Sequence, residues 1–282
     1  MVETKGSVEA PLDNSADPVS GDPDVHVRCS GVGKVFVSSR GATRALAGVD
    51  LVIERGTFVC LIGPSGCGKS TLLRIIGGLD TPSEGEVDVR GLDGRQPRPA
   101  FVFQEHGIFP WLTVRENVEF GLRMDGMRRT RRREVAREWI HRVGLEKFAS
   151  HYPNQLSGGM RQRISIARAF AYDGDLMLMD EPLGALDAQT RALMQEQLLE
   201  LWERNRTTVL LVTHSIEEAL LLGDRVVTMT ARPGRVKGEM RPGFARPRSM
   251  ELEARADFAG MKAQLWGSLR DEAETTLLEG DR

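Results

Sequence analysis

Phe58-Val59-Cys60-Leu61-Ile62 runs directly into Gly63-Pro64-Ser65-Gly66-Cys67-Gly68-Lys69-Ser70-Thr71, and this junction decides the fold. An unbroken apolar run of this length predicts a strand buried on both faces, as in parallel sheets. The glycines let successive backbone N–H groups curl into an anion nest, and a helical pattern from about Lys69 to Gly77 adds a helix N-terminus to it. Gly63 to Ser70 fits GxxxxGK[ST], and it stands in the strand, turn, helix order that a phosphate-binding loop requires. In such a loop Lys69 reaches the β and γ phosphates and Ser70 ligates Mg²⁺. Thr71 continues the same nucleotide-binding surface. Cys67 lies inside the loop, where a helix N-terminus could lower its thiol pKa, although the position accepts many residue types.

Outward from this point the chain reads as strands alternating with helices, which implies a parallel sheet. Val49, Leu51 and Ile53 share one strand face, and Glu84 to Arg90, Ala100 to Gln104, Leu176 to Met179 and Thr208 to Val212 read as further strands. Helices are expected from Met124 to Gly144, Gly158 to Phe170, Asp187 to Asn205, Ile216 to Leu222 and, amphipathic, within Leu252 to Leu269. Ser215 with Glu218 reads as a capping box. The stretch from Arg128 to Arg142 is very basic. It is either a solvated helix face partly countered by Glu134 and Glu138, or a surface that meets anionic lipid or an acidic partner.

The 282 residues carry 38 Lys plus Arg against 40 Asp plus Glu, a net charge of -2, so the overall balance does not point to nucleic acid. Residues 1–24 hold six acidic side chains and one Lys with Pro, Ser and Gly, and read as a disordered acidic tail. The start lacks the basic and apolar regions of a secretory signal, and no apolar run is long enough to span a membrane. Three cysteines without metal-like spacing, Cys29, Cys60 and Cys67, favour a reducing, cytoplasmic setting.

Two further strings carry chemistry. Leu176-Met177-Leu178-Met179-Asp180-Glu181 delivers two carboxylates at a strand's C-terminal end, where α/β sheets place ligands. Asp180 suits Mg²⁺ through a water, and Glu181, one residue on, suits polarising an attacking water. Ser157-Gly158-Gly159, opening a helix, offers a hydroxyl and unobstructed N–H groups, a second phosphate-binding surface.

Together Gly63 to Ser70, Leu176 to Glu181 and Leu156-Ser157-Gly158-Gly159-Met160-Arg161-Gln162 resemble the motif set of the ATP-binding cassette (ABC) ATPases, over about Val25 to Val236. The resemblance implies an α/β P-loop NTPase core with a mainly parallel sheet, an antiparallel β-subdomain and a helical subdomain at about 104–170, followed by a partly helical C-terminal extension over 237–282. It implies that Gln104 senses Mg²⁺ and the γ-phosphate, that Asp187 belongs to the D-loop, and that His214 contacts the γ-phosphate. Phe36 matches the position on which adenine stacks in this family; a core phenylalanine is the other reading. Phe103 to Val118, with Pro110-Trp111, and Ala231-Arg232-Pro233-Gly234-Arg235 are similar to the nitrate, sulfonate and taurine importer branch. Trp111 reads either as a docking surface for a membrane subunit's helix or as a buried side chain that pins its loop.

The resemblance further implies an ATPase using ATP and Mg²⁺, working as a homodimer with each ATP between the P-loop of one copy and Ser157 of the other. Its partners are separate transmembrane permease subunits and, indirectly, a periplasmic or lipoprotein solute-binding protein, with no nucleic acid. Its expected place is peripheral, on the cytoplasmic face of the membrane. The rival readings are a soluble, non-transport ABC ATPase of repair or the ribosome, and a catalytically silent regulatory cassette.

Overall fold

A computed structural model describes residues 24–39, 41–103, 107–184 and 186–280. Most of the acidic tail, and Gln104, lie outside the described residues.

Two sheets form the body. Strands β1 (Val25–Ser38), β2 (Gly41–Glu54) and β4 (Glu84–Val89) make an antiparallel sheet in the order β2-β1-β4. The larger sheet holds β3 (Phe58–Ile62), β5 (Pro99–Val102), β6 (Leu176–Asp180), β7 (Thr208–Val212), β8 (Arg225–Met229) and β9 (Val236–Met240). Its order is β5-β6-β7-β3-β8-β9, parallel except for β9.

The apolar runs have a direct structural cause. Phe58, Cys60 and Ile62 face one core cluster while Val59 and Leu61 face the other, so both sides of the strand are covered. One face packs against α1 (Lys69–Ile76) and the antiparallel sheet. The opposite face packs against α4 (Gly158–Tyr172), α5 (Ala188–Asn205) and α6 (Ile216–Leu222).

The helix expected from Met124 to Gly144 is α3 (Arg129–Arg142), which starts later, and a helix that was not expected, α2 (Val114–Met124), precedes it. The chain turns between them at Gly126, whose φ of 74° favours glycine. Thr113 starts α2 with a complete capping box, accepting the Glu116 N–H while the Glu116 carboxylate accepts the Thr113 N–H. At α6 only half of the expected box forms. Ser215 Oγ accepts the Glu218 N–H at 3.1 Å, but the Ser215 N–H donates to Thr213 Oγ1 at 3.1 Å and not to the buried Glu218 carboxyl.

The arginine-rich helix is partly neutralised: Arg131 and Arg142 pair with Glu134 and Glu138, as the first reading expects, and Arg132 Nε lies 2.8 Å from Glu119. At the C-terminal end α7 (Ala256–Gly280) is longer than the expected helix and buries Phe258 and Leu265. Among the described residues no helix is long and apolar enough to cross a membrane.

Candidate functional site

The sheet order sets β6, β7 and β3 side by side, so three chain segments leave the same edge together. From β3 comes the glycine-rich loop, from β6 Asp180 and Glu181, and from β7 His214. This C-terminal edge of a parallel sheet is where such folds bind ligands.

The loop needs its glycines for different reasons. Gly66 and Gly68 have φ of 73° and 103°, and a Cβ on Gly68 would stand 2.9 Å from the Ala45 carbonyl oxygen. Gly68 caps α1, leaving the first-turn N–H groups and the positive end of the helix dipole at the loop. Lys69 is buried, and its Nζ donates to the Gly63 and Pro64 carbonyls at 2.8 and 2.9 Å. Those contacts hold the cation inside the loop's concavity. Cys67 is fully buried, and burial pushes its thiol up, with Lys69 opposing. A protonated, inaccessible thiol is no nucleophile at neutral pH.

Ser70 Oγ donates to Asp180 Oδ1 at 2.9 Å, joining α1 to β6. Burial raises the Asp180 pKa above the usual carboxylate range, the Ser70 hydrogen bond opposes this, and the neighbouring Glu181 charge adds to it. Glu181 adopts φ 45° and donates its N–H to Val212 O at 2.9 Å, which ties the left-handed turn to β7. A non-glycine residue held in this region costs on the order of 1–3 kcal/mol, and such strain gathers at functional sites. Its Oε2 lies 3.4 Å from His214 Nδ1.

Lys69, Ser70, Glu181 and His214 share an open cleft of about 730 Å³ with Ser65, Gly66, Gly68 and Thr71. Phe36 stands on its wall, 44% exposed, with Lys34 Nζ 5.1 Å from its ring centroid, so it is not a core residue. Gly63, Pro64, Cys67 and Asp180 do not line the cleft; Cys67 and Asp180 are buried, and Gly63 and Pro64 are half-buried. Ser157, Gly158, Gly159 and Asp187 are not among the described residues that line this cleft. Ser157 caps α4 by accepting the Met160 N–H at 3.3 Å, with Gly158 and Gly159 opening the helix. Asp187 caps α5, accepting the Thr190 N–H and hydroxyl at 3.0 and 2.7 Å, and these bonds lower its pKa.

Three cleft residues escape sequence reasoning. Thr43 and Ala45 come from β2, and Arg232 comes from the turn after β8. In the sequence, the string from Ala231 to Arg235 marks a branch of a family, and nothing in it points to the loop 166 residues earlier. Trp111 is 69% exposed, its ring 5.5 Å from Phe109, which rules out the buried reading.

The family model for "ABC transporter" matches residues 46–184. An uncharacterised ABC transporter ATP-binding protein of Methanocaldococcus jannaschii is 43% identical over 90% of this chain and 94% of its own length. The nitrate import ATP-binding protein NrtD of Synechocystis sp. is 45% identical over 77% of this chain and 82% of its own, and the aliphatic sulfonates import ATP-binding protein SsuB of Bacillus cereus is 44% identical over 79% and 88%. Among solved structures, a dimeric ATP-binding cassette in a post-hydrolysis state with ADP and Pi matches with a TM-score of 0.69 and 38% identity, covering 77% of this chain and all of that one. The chain belongs to the ABC transporter family and is an ATPase of that family.

Proposed function

We propose that the chain hydrolyses ATP for an importer of a small anionic solute of the nitrate, sulfonate or taurine kind, as a homodimer on the cytoplasmic face of the membrane. The observation that carries the reading is the convergence of Lys69, the Ser70–Asp180 pair and the Glu181–His214 pair on one cleft. The functional unit spans 25–236, with a helical subdomain near 104–170 and the extension 237–282 behind it.

The polyphosphate lies in the loop between Gly63 and Thr71, on N–H groups and Lys69, with adenine against Phe36. Glu181 takes a proton from water as its oxygen bonds to the γ-phosphorus, and the bond to the β–γ bridging oxygen breaks to release ADP. His214 contacts the γ-phosphate and steadies the Glu181 carboxylate. Gln104 senses the same phosphate.

The residues fit Mg²⁺. Ser70 and Asp180 offer hard oxygens, and no cluster of three or more metal-binding side chains occurs among the described residues, so phosphate and water oxygens would complete the shell. Ser70 would hold the ion directly, Asp180 through water, and Gln104 beside them, and the bound ion would neutralise phosphate charge.

Ser157, Gly158 and Gly159 stand away from the cleft of their own copy, which supports a second copy presenting them to the γ-phosphate, with Asp187 beside the junction. Exposed Trp111 and the similarity to NrtD and SsuB support docking to separate permease subunits, with a solute-binding protein reached only through them. The test is uptake of labelled nitrate, taurine and an alkanesulfonate by cells carrying the chain or its Lys69→Ala variant in place of it. Loss of uptake of one anion with the variant is expected. Unchanged uptake of all three overturns the solute assignment.

A further inference from the structure

The turn after β8 is bound on three sides. Arg232 donates from Nε and Nη2 to Gly66 O at 3.1 and 3.0 Å, so its guanidinium clasps the phosphate loop itself. Gly234 exchanges backbone hydrogen bonds with β2, its N–H to Ala45 O at 2.9 Å and its carbonyl accepting from Ala47 at 3.0 Å. A Cβ on Gly234 would stand 2.0 Å from the Cys67 carbonyl oxygen, so only glycine allows the turn this close to the loop. On the outer side, Glu272 of α7 accepts the Ala231 N–H at 2.7 Å and Lys237 Nζ at 2.8 Å. The helix from the C-terminal extension therefore fixes the residue next to Arg232.

Arg232 lines the same cleft as Lys69 and is solvent-exposed there, and among the described residues its Nη1 makes no hydrogen bond. A guanidinium is always charged, and its planar fork lets one edge hold a carbonyl while the other meets a phosphate. Resting on the nucleotide-site reading above, we propose that Arg232 is a second phosphate-binding cation of that site, and that Glu272 of α7 is the positioning residue that sets where it stands. The C-terminal extension thereby tunes nucleotide affinity without touching the nucleotide.

The test is calorimetric titration of ATP and ADP into the full chain and into Arg232→Ala, Arg232→Lys, Glu272→Gln and Lys69→Ala, with melting curves of each. Arg232→Ala is expected to weaken both nucleotides by about tenfold, since a charge-assisted hydrogen bond is lost. Arg232→Lys, which keeps charge but loses the fork, should fall in between. Glu272→Gln should weaken affinity by roughly threefold and raise KM for ATP with kcat nearly unchanged, because it displaces a binding group and leaves the reacting groups in place. If Arg232→Ala does not fold, the Lys and Glu272 variants decide. Wild-type affinity in Arg232→Lys and Glu272→Gln overturns the proposal. So does a Glu272→Gln variant that lowers the melting temperature but leaves KM alone. Lys69→Ala separates the two readings: if it binds ATP normally, the site assignment itself has failed.

Discussion

In Glu181 a strained backbone carries the carboxylate to which the proposed chemistry is assigned. Its left-handed conformation is anchored to Val212, and its carboxylate is thereby aimed across the cleft toward His214. Glu181→Gln keeps size and hydrogen bonding but loses the basic oxygen, so single-turnover hydrolysis should slow by roughly 10²–10⁴-fold with ATP affinity retained. Near-normal turnover would remove Glu181 from the chemistry. His26 makes a different residue-scale prediction. It is buried, its Nδ1 is 2.6 Å from Thr208 Oγ1, and burial, reinforced by Arg55, lowers its pKa to about 4. The unfolded chain binds a proton near pH 6.5 and the folded chain only near 4, so this contribution to stability is complete above about 6.5 and is lost as pH falls through that window. His26→Gln should flatten the pH dependence of urea stability between pH 6.5 and 4 by up to about 3 kcal/mol. An identical slope in wild type and variant would refute it.

At the scale of elements, the short helix α6, which follows directly from the His214 loop, depends on a distant arginine. Arg248 Nη1 donates to the carbonyls of Leu220, Leu221 and Gly223 at 3.3, 3.0 and 2.9 Å, closing the C-terminal turn. Burial and the neighbouring Arg246 charge lower its pKa to about 10, still far above neutrality, so the cation persists. Arg248→Ala leaves those buried carbonyls unpaired and should cost about 2–4 kcal/mol, a fall of roughly 4–12 °C in Tm by scanning calorimetry. A change within about 1 °C would show that solvent replaces the cap. This cap also marks where sequence reading stops. Phe58 to Ile62, Leu176 to Met179 and Thr208 to Val212 are legible because burial on both faces leaves an apolar run in the chain itself. The loop's glycines are legible because backbone conformation restricts residue type locally. The start of α3 beyond Gly126 is hidden, since this charged helix has little apolar periodicity to mark where it begins. Arg232 on Gly66 and Arg248 on α6 are hidden too, because each pairing is made by tertiary packing between segments whose local sequence carries no mark of it.

At the scale of the whole molecule, one copy holds a complete P-loop wall and, elsewhere, an outward-facing Ser157 cap. If two copies bury ATP between these surfaces, blocked hydrolysis traps the pair. Glu181→Gln should then elute from a sizing column as a dimer with ATP and as a smaller species without it, because a ligand that binds the closed pair more tightly than the separate copies stabilises the pair by mass action. Adding Ser157→Arg should abolish the ATP-dependent dimer, since a bulky cation replaces the small hydroxyl at the junction. A dimer indifferent to ATP, or to Ser157, would leave a P-loop site without the two-copy sandwich.

The strand order also dictates when the nucleotide site comes into being during synthesis. β3, which carries the phosphate loop, has β7 and β8 as its two neighbours, and both lie beyond residue 207. A nascent chain that has emerged only as far as α5 therefore holds the loop on a strand with both edges unpaired, the state most prone to wrong pairing. The strand that carries the loop is paired on both edges only once the chain reaches Met229, about four fifths of its length, so nucleotide can stabilise the fold only late in synthesis.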